Sequence, residues 1–406
     1  MKQFDTLYEK GKSGFTDIIR TALYRYDETI FDRLDFYNDR IFEEPLLYSY
    51  FNTTDKNKSL DQILFGYYNR EKRPQNLQVF SNHRGKIYLP QYGTLSTEKG
   101  REEFTLSYNP ETDTLSLSQN KVPVLFTYTP IGVLSRYPDI EITSDIDPYS
   151  EKFFFDFEYL TWEEAEFFLA YKPIETAPHV SAIEGALQLI DDLLPADAEK
   201  LRTSIKKIIL FYHPKLRNFA TRESHGTIFL NIEETANVSF FLEEIIHQGS
   251  HIVFNNVTFD TSEFFRTDPY ALLSDYVDND KRTLYGAFHG IYTTCKIVDL
   301  LLRVMNSKPQ MKQEVAYEII GRLAVNKNRH EIGLETVPYE LVFTDLGKAF
   351  MDYYFQLLDE NIQNNPRFFD FDIKNHPIVF DFEVFEKDNP IENYRSLLSS
   401  FLTNPA

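Results

Sequence analysis

The chain has one cysteine, Cys295, among its 406 residues, so it cannot form an internal disulfide. The sequence also lacks any run of about 18 apolar residues, the length that a membrane-spanning helix requires. Its start does not have the charged, apolar and small-residue succession of a secretion signal. We therefore expect no membrane partner and a reducing, cytoplasmic location, with Cys295 as a core thiol in an apolar helical stripe.

Positive charge is scarce in this chain. It carries 42 lysine and arginine residues against 62 aspartate and glutamate residues, which gives a formal net charge of −20. Such a surface repels phosphate backbones and anionic lipids, so we expect no nucleic-acid partner, and a basic partner or peptide is favoured. Because 42% of the residues are hydrophobic and 16% are aromatic, the chain can bury a large core.

The organisation of the sequence changes near residues 139–152, where charged and turn-forming residues separate two segments with different hydrophobic patterns. Strand patterns precede this segment and helical patterns follow it, which predicts an α+β protein. We predict an N-terminal region with β-hairpin elements over residues 1–145 and a mainly helical, metal-binding domain over residues 150–406. The sequence does not indicate the oligomeric state or the role of the N-terminal region.

Individual elements follow from the same patterns. Alternating residues predict a hairpin from 104–108 and 114–118, and residues 122–128 extend it by a third strand. Ser181 and Glu184 have the spacing of a capping box and predict a helix start. The other predicted elements are helices over 162–170, 181–194 and 196–211, and half-buried strands over 368–372 and 380–384.

His247 and His251 form the most specific motif, because they stand four residues apart in an amphipathic pattern. That pattern predicts a helix capped by Thr235 or Asn237, on which both imidazoles lie on one face about 6 Å apart along the axis. Zinc peptidases with this spacing carry a glutamate after the first histidine as the general base. Here Gln248 takes that position, and a neutral amide cannot accept the proton of a metal-bound water.

The neighbours of this pair favour a metal site, although two helix histidines in packing roles remain the alternative. A short strand is predicted over 227–231, immediately upstream of the helix. Glu243 and Glu244 precede His247 by one turn and can orient a ligating imidazole through its outer nitrogen. The helix macrodipole also favours glutamates near a helix start, so their presence has a second explanation.

His289 is the candidate third ligand, 38 residues after His251. It lies in a second amphipathic helix, predicted over 282–304, on a face that it shares with Tyr285, Tyr292, Thr293 and Lys296. The plain alternative is a hydrogen-bonded core histidine. The apolar stripe of this helix is Leu284, Phe288, Ile291, Cys295, Val298 and Leu302. The carboxylates that are alternative ligands are Asp260, Glu263, Asp268, Asp275 and Asp278.

The order of these segments resembles the HExxH-motif family of peptide-modifying proteins, over roughly residues 180–350. The resemblance rests on the strand-like 226–231, the segment 243–251 and the segment 282–292. That family includes iron(II)- and 2-oxoglutarate-dependent β-hydroxylases of ribosomally made peptides. It implies that His247, His251 and His289 ligate the metal, and that the substrate is a peptide, either alone or within a leader-bearing precursor.

The chemistry of such an oxygenase tolerates Gln248, because it needs three facial protein ligands and open positions rather than a protein base. The distal carboxylate of 2-oxoglutarate needs a cation, and the resemblance implies Arg282, with Lys296 next and Arg266 after it. Two other function classes stay open. One is a peptide-binding or assembly protein without catalysis, and the other is a zinc hydrolase that uses Glu244 or Glu263 as its base.

Overall fold

A computed structural model describes residues 2–53, 58–154, 172–214, 216–232, 236–276, 281–307, 310–328, 337–375 and 380–401. The fold is mixed α+β, as the sequence predicts, with most of the sheet structure in the N-terminal half and helices dominating the C-terminal half. The predicted helix over 162–170 lies outside the described residues. In the part of the chain that is described, no helix is long and apolar enough to cross a lipid bilayer.

The chain divides into two compact units, each assembled from separate segments, whereas the sequence predicted one division between residues 145 and 150. The helical unit contains Met1–Gly11, His179–Leu201 and Thr235–Ala406. The sheet unit contains Lys12–Pro178 and Arg202–Glu234.

The strands form three sheets in the described residues, with the orders β1-β4-β5-β6, β2-β3-β7 and β11-β12-β10-β8, and β9 pairs with β10. Their bounds are β1 Asn76–Phe80, β2 Lys86–Leu89, β3 Gly93–Ser96, β4 Glu103–Asn109, β5 Thr114–Gln119, β6 Val122–Val124, β7 Thr127–Pro130, β8 Glu141–Thr143, β9 Lys172–Pro173, β10 Lys207–Tyr212, β11 Phe219–Ala220 and β12 Thr227–Asn231.

The predicted hairpin is confirmed, because β4 and β5 pair antiparallel with Ser107 opposite Ser116. The third strand is partly correct. Residues 122–124 extend the hairpin sheet, whereas residues 127–130 pair with β3 in a different sheet. The predicted strand at residues 227–231 is β12, which runs parallel to β10. Both strands are nearly fully buried, as parallel strands usually are.

The helices carry the rest of the fold. Their bounds are α1 Lys2–Tyr26, α2 Asp39–Phe42, α3 Pro45–Phe51, α4 Leu60–Leu64, α5 Ala177–Leu193, α6 Pro195–Ser204, α7 Val238–Val257, α8 Leu284–Asn306, α9 Gln313–Asn328, α10 Tyr339–Val342, α11 Asp345–Asn364, α12 Phe382–Asp388 and α13 Arg395–Phe401. Helix α8 packs against α7, α9 and α11, so it is the central helix of its unit.

Two helix predictions are correct in part, and the two C-terminal strand predictions are wrong. The predicted helix over 196–211 ends at Ser204, and its apolar second half is strand β10. The predicted helix over 181–194 is confirmed as α5, but it begins earlier, at Ala177, so Ser181 lies inside it and does not cap it. Neither predicted C-terminal strand is present in the described residues. Residues 368–372 begin at the end of a 3-10 turn, Pro366–Phe368, and residues 380–384 lead into helix α12. Asp381 caps the start of α12 by accepting a hydrogen bond from the Val384 amide at 3.1 Å.

Cys295 is fully buried in α8, and burial raises the pKa of its thiol to about 12. The thiolate is the reactive form, so a disulfide reagent such as 5,5′-dithiobis(2-nitrobenzoate) should react negligibly with the native protein at pH 8. One thiol per chain should react once guanidinium unfolds the protein. Complete reaction of the native protein within minutes would contradict this core placement.

Candidate metal centre

Helix α7 begins at Val238, directly after Asn237, which is one of the two cap residues that the sequence predicts. The Asn237 side-chain oxygen accepts hydrogen bonds from the Ser239 amide at 2.8 Å and from the Ser239 hydroxyl at 2.7 Å, which caps the helix. Thr235, the other predicted cap, lies outside the described residues. The start at Val238 places His247 and His251 at the middle of a 20-residue helix.

The structure brings the three predicted histidines together. The ring centroids of His247 and His251 lie 4.8 Å apart, one helical turn along α7. The His289 ring of α8 lies 3.9 Å from the His251 ring, and Nδ1 of His251 contacts Nε2 of His289 directly. All three side chains are partly buried. The imidazoles therefore form one cluster, although His289 follows His251 by 38 residues.

Burial lowers the pKa of His251 well below its usual range, and the neighbouring His289 and His247 rings lower it further. A cationic imidazolium is unfavourable in this environment because three rings of the same kind face one another. His251 is therefore neutral at physiological pH, and a neutral imidazole has the lone pair that a metal ion requires.

Glu244 and Gln248 lie on the opposite side of the His247 ring from its Nε2. The Glu244 carboxylate is 3.8 Å from His247 Nδ1, too long for a hydrogen bond, and it accepts a hydrogen bond from the Gln248 amide at 3.2 Å. Gln248 is 2% exposed, and its oxygen has no hydrogen-bond partner within the described residues. The Gln248 amide nitrogen also lies 3.3 Å from His247 Nδ1, so Gln248 links the Nδ1 edge of this ring to the Glu244 carboxylate.

Glu243 does not belong to the histidine cluster. It is 1% exposed and accepts hydrogen bonds from Arg322 at 2.7 Å and Asn326 at 2.8 Å, both on α9. Arg322 also donates to Glu318, which accepts a further bond from the cap residue Asn237 at 2.7 Å. Glu243 therefore joins α7 to α9 and has a structural role. The sequence pattern instead made it a candidate for orienting a ligating imidazole.

Two aromatic rings stack on His289, and the sequence predicted only one of them, Tyr285. Phe254 stacks on His289 with ring centroids 5.3 Å apart and an interplanar angle of 25°. Tyr285 stacks on it at 5.8 Å and 24°. The Tyr285 hydroxyl donates to Asn255 at 2.9 Å and lies 2.8 Å from the Thr258 hydroxyl. Phe254 follows His251 by three residues, and that spacing is the signal that would have identified it.

The predicted 2-oxoglutarate ligands have different environments. The Lys296 ammonium contacts both carboxylate oxygens of Asp197, at 2.7 and 2.9 Å. Arg282 is exposed and precedes Thr283, which caps α8 by accepting from the Gly286 amide at 3.0 Å. Arg266 donates to the Phe343 carbonyl oxygen at 2.9 Å. Arg282 and Arg266 are exposed, whereas Lys296 is half-buried.

The alternative carboxylate ligands are engaged in local structure. Asp260 caps a 3-10 turn and accepts from the Ser262 amide at 3.1 Å. Glu263 pairs with Lys10, and Asp268 accepts from the Tyr270 amide at 2.9 Å. Asp275 lies in the 3-10 turn Leu273–Asp275, and Asp278 is outside the described residues. His289 is therefore the candidate third ligand that the structure places beside the pair.

The donor chemistry of the cluster fits a divalent transition metal, since neutral imidazoles suit iron and zinc. In the described ranges, however, no group of three or more His, Cys, Asp or Glu side chains is arranged as a metal site. Nδ1 of His251 and Nε2 of His289 are in direct contact, whereas nitrogens that share an ion with bonds of about 2.1 Å stand about 3 Å apart. Metal binding would require these two rings to separate.

A scan against family models finds no family that matches this chain, and a search of the curated proteins finds no match either. The resemblance to the HExxH-motif family therefore stays a prediction.

Proposed function

We propose that His247, His251 and His289 bind one iron(II) ion and that the protein is a 2-oxoglutarate-dependent oxygenase, which hydroxylates a side chain of a ribosomally made peptide. The observation that supports this function best is the convergence of three imidazoles beside Gln248. Such a cluster can hold a metal, whereas the residue after the first histidine cannot act as a base. A reaction that needs a metal and no protein base at that position matches this combination.

Each side chain has a defined role in this proposal. Because His251 is neutral, it can offer a lone pair without first losing a proton. Glu244 acts on the His247 ring through Gln248, whose amide nitrogen donates to Glu244 and lies 3.3 Å from His247 Nδ1, and the stacked rings of Phe254 and Tyr285 orient His289. Bound iron would supply the activation of dioxygen.

The cosubstrate would bind through its distal carboxylate to a cation near the start of α8. The resemblance ranks Arg282 first, and this exposed residue carries a guanidinium that can form a bidentate pair with a carboxylate. Lys296 could take this role only by exchanging Asp197 for the cosubstrate. We keep both residues in the proposal and rank Arg282 first.

The expected partner is a peptide, either alone or within a leader-bearing precursor, and the acidic chain favours a basic one. The proposal excludes nucleic acid as a partner and places the reaction in the cytoplasm, where reduced iron is available. Residues 1–145 are the candidate region for holding a leader segment.

A peptide-binding protein without catalysis is the second candidate function. The observations that favour it are the direct contact between His251 and His289 and the pairing of Lys296 with Asp197, because each engages a side chain that the oxygenase would need for iron or for the cosubstrate. A zinc hydrolase is less well supported. Its two candidate bases have other contacts, because Glu244 lies near the outer nitrogen of His247 and Glu263 pairs with Lys10.

Turnover of 2-oxoglutarate tests the proposed function. Anaerobic protein loaded with ferrous iron should develop a visible charge-transfer band when 2-oxoglutarate is added. After admission of air with a mixed peptide library, succinate should appear, and mass spectrometry should show some peptides heavier by one oxygen. The His247→Ala variant should show neither band nor succinate. In Arg282→Ala, a higher 2-oxoglutarate concentration should restore the band.

The same library separates the other functions. Zinc-loaded protein should produce no new peptide termini, because Gln248 cannot act as the base. New termini that disappear in His247→Ala would support the hydrolase and overturn the oxygenase. Absence of both the band and succinate, with an intact fold by circular dichroism, would support the non-catalytic function. The matched control is His83→Gln, which changes a histidine of the sheet unit that pairs with Glu151.

A further inference from the structure

The sheet unit contains a cavity of about 160 Å³ whose charged residues the proposed function does not use. Three of its lining residues are buried and charged: Glu44 is 4% exposed, Glu141 is 7% exposed and Lys207 is 3% exposed. Partly or fully exposed side chains, among them Arg202 and Lys206, line the same cavity. Buried charges are costly unless they have partners, so the partners of these three decide what the cavity can bind.

Backbone pairing places Lys207 and Glu141 side by side. Glu141 is the first residue of β8 and Lys207 is the first residue of β10, and the two are register partners in a parallel pair. Side chains at paired positions of neighbouring strands point to the same face of a sheet. The sheet therefore presents one cation and one carboxylate together, at the ends of two strands that are otherwise mainly apolar.

Lys207 has fewer partners than a buried ammonium normally has. Its Nζ lies 3.8 Å from Glu141 Oε2, beyond hydrogen-bond distance, and 3.8 Å from the centroid of the Tyr88 ring. Within the described part of the chain, this ammonium donates no hydrogen bond. An ammonium has three donors, so the cavity offers donors that an acceptor group can fill.

Glu141 offers the complementary group. Its Oε2 accepts a hydrogen bond from the Tyr88 hydroxyl, while Oε1 accepts none from any residue that the structure describes. Glu44 differs, because its two oxygens accept from the Leu46 amide at 3.1 Å and the Tyr67 hydroxyl at 2.7 Å. Burial raises the pKa of Glu141, which is the direction expected for a carboxylate that lacks donors.

We propose that this cavity binds a free α-amino acid, whose carboxylate accepts from Lys207 and whose ammonium donates to Glu141. Of the other charged lining residues, Lys12 and Lys206 pair with Glu43 and Arg40 pairs with Asp139. The buried Glu44 and Glu141 disfavour an anion without a positive group, and the buried Lys207 disfavours a cation without a negative group. Because Lys207 Nζ and Glu141 Oε2 lie 3.8 Å apart, the ligand must carry its opposite charges close together, on two groups bonded to the same carbon. An α-amino acid has that arrangement, and its side chain would extend toward Arg202 and Lys206.

The test uses the full chain and the twenty standard amino acids, each added separately. At least one should raise the melting temperature of the wild-type protein in a saturable manner, and isothermal titration calorimetry should give a dissociation constant for it. The N-acetylated and carboxamide forms of that amino acid each lose one charge. Each should bind about tenfold more weakly or worse, because a charge-assisted hydrogen bond is lost.

Variants assign the binding to this cavity. The double variant Lys207→Met with Glu141→Gln removes both charges of this pair together, so neither is left without the other, and it should fold and should not bind. Arg202→Ala changes an exposed side chain and serves as a second variant whose folding is not at risk, and it should weaken binding. Lys86→Met is the matched control, since Lys86 is a half-buried lysine on β2 that donates to Ser96 at 2.8 Å. It should bind like the wild type.

Three results would overturn the proposal. The first is that none of the twenty amino acids binds to the wild-type protein. The second is that acetate or inorganic phosphate binds as tightly as any amino acid, which would identify a plain anion site. The third is that the double variant, folded by circular dichroism, binds the same amino acid with unchanged affinity.

Discussion

Replacement of Arg322 by Ala is expected to lower the free energy of unfolding by about 3–5 kcal/mol. Arg322 is 7% exposed and donates to Glu243 at 2.7 Å and to Glu318 at 2.7 and 3.0 Å. Without the guanidinium, two carboxylates that are 1% and 6% exposed lose the positive charge between them. Equilibrium unfolding in urea, followed by circular dichroism, measures the loss.

The size of the effect depends on burial, and the controls separate burial from ion pairing as such. Lys348 pairs with Glu340 and Asp345, both at 2.9 Å, but these carboxylates are 79% and 88% exposed. Lys348→Ala should therefore change the free energy of unfolding far less than Arg322→Ala does, because solvent screens the exposed pairs. Arg322→Lys keeps the charge without the planar fork and should fall between the two. A cost for Arg322→Ala equal to that for Lys348→Ala would contradict the account of this network.

Replacement of Gly11 by Ala is expected to destabilise the protein by about 3 kcal/mol. A Cβ atom at Gly11 would stand 1.7 Å from the Asn256 carbonyl oxygen and 2.9 Å from the Phe259 Cβ. The nearest atom belongs to the backbone near the end of α7, so a side-chain rotation cannot relieve the clash. Ala is favoured over Gly within a helix by about 1 kcal/mol, which is smaller than the expected steric cost.

Gly185 is the matched control because it also lies within a helix of the helical unit. A Cβ atom there would meet only Val238 Cγ2, at an ordinary contact distance of 3.8 Å. Gly185→Ala should therefore leave stability unchanged or raise it by up to about 1 kcal/mol. Urea unfolding of both variants gives the comparison. Equal effects of the two substitutions would show that close packing at Gly11 does not determine its cost.

The sequence predicted the two helices of the site well, because each has a long apolar stripe and a capping residue. The stripe of α8 from Leu284 to Leu302 is buried as expected, and Asn237 caps α7. Long periodic segments constrain both the phase of a helix and the face that it buries. The relative placement of His247 and His251 therefore follows from their spacing within such a segment.

The errors come from patterns that do not distinguish a helix from a strand. Residues 207–212 form a nearly continuous apolar run, which is typical of a strand buried on both faces and equally of a buried helix segment. Near Phe380, aromatic and acidic residues alternate like a strand, but Asp381 caps a helix and Phe385 is buried. Tertiary packing decided these elements, and local alternation did not.

The partners of the site residues could not be predicted, because they depend on distant segments. Lys296 shares a polar helix face with His289, yet its ammonium pairs with Asp197 on α6, 99 residues away. Glu243 and Glu244 are neighbours in sequence, yet only Glu244 lies beside a histidine. Spacing along one helix predicts which side chains share a face, but it does not predict which group on another helix each one meets.

Iron content is the measurement that tests the central claim most directly. Protein incubated anaerobically with ferrous iron and then desalted should retain one iron per chain by elemental analysis. His247→Ala, His251→Ala and His289→Ala should each retain much less, while His83→Gln should retain as much as the wild type. Full iron retention in the double variant His247→Ala with His251→Ala, or no iron in the wild-type protein, would contradict the assignment of these histidines as metal ligands.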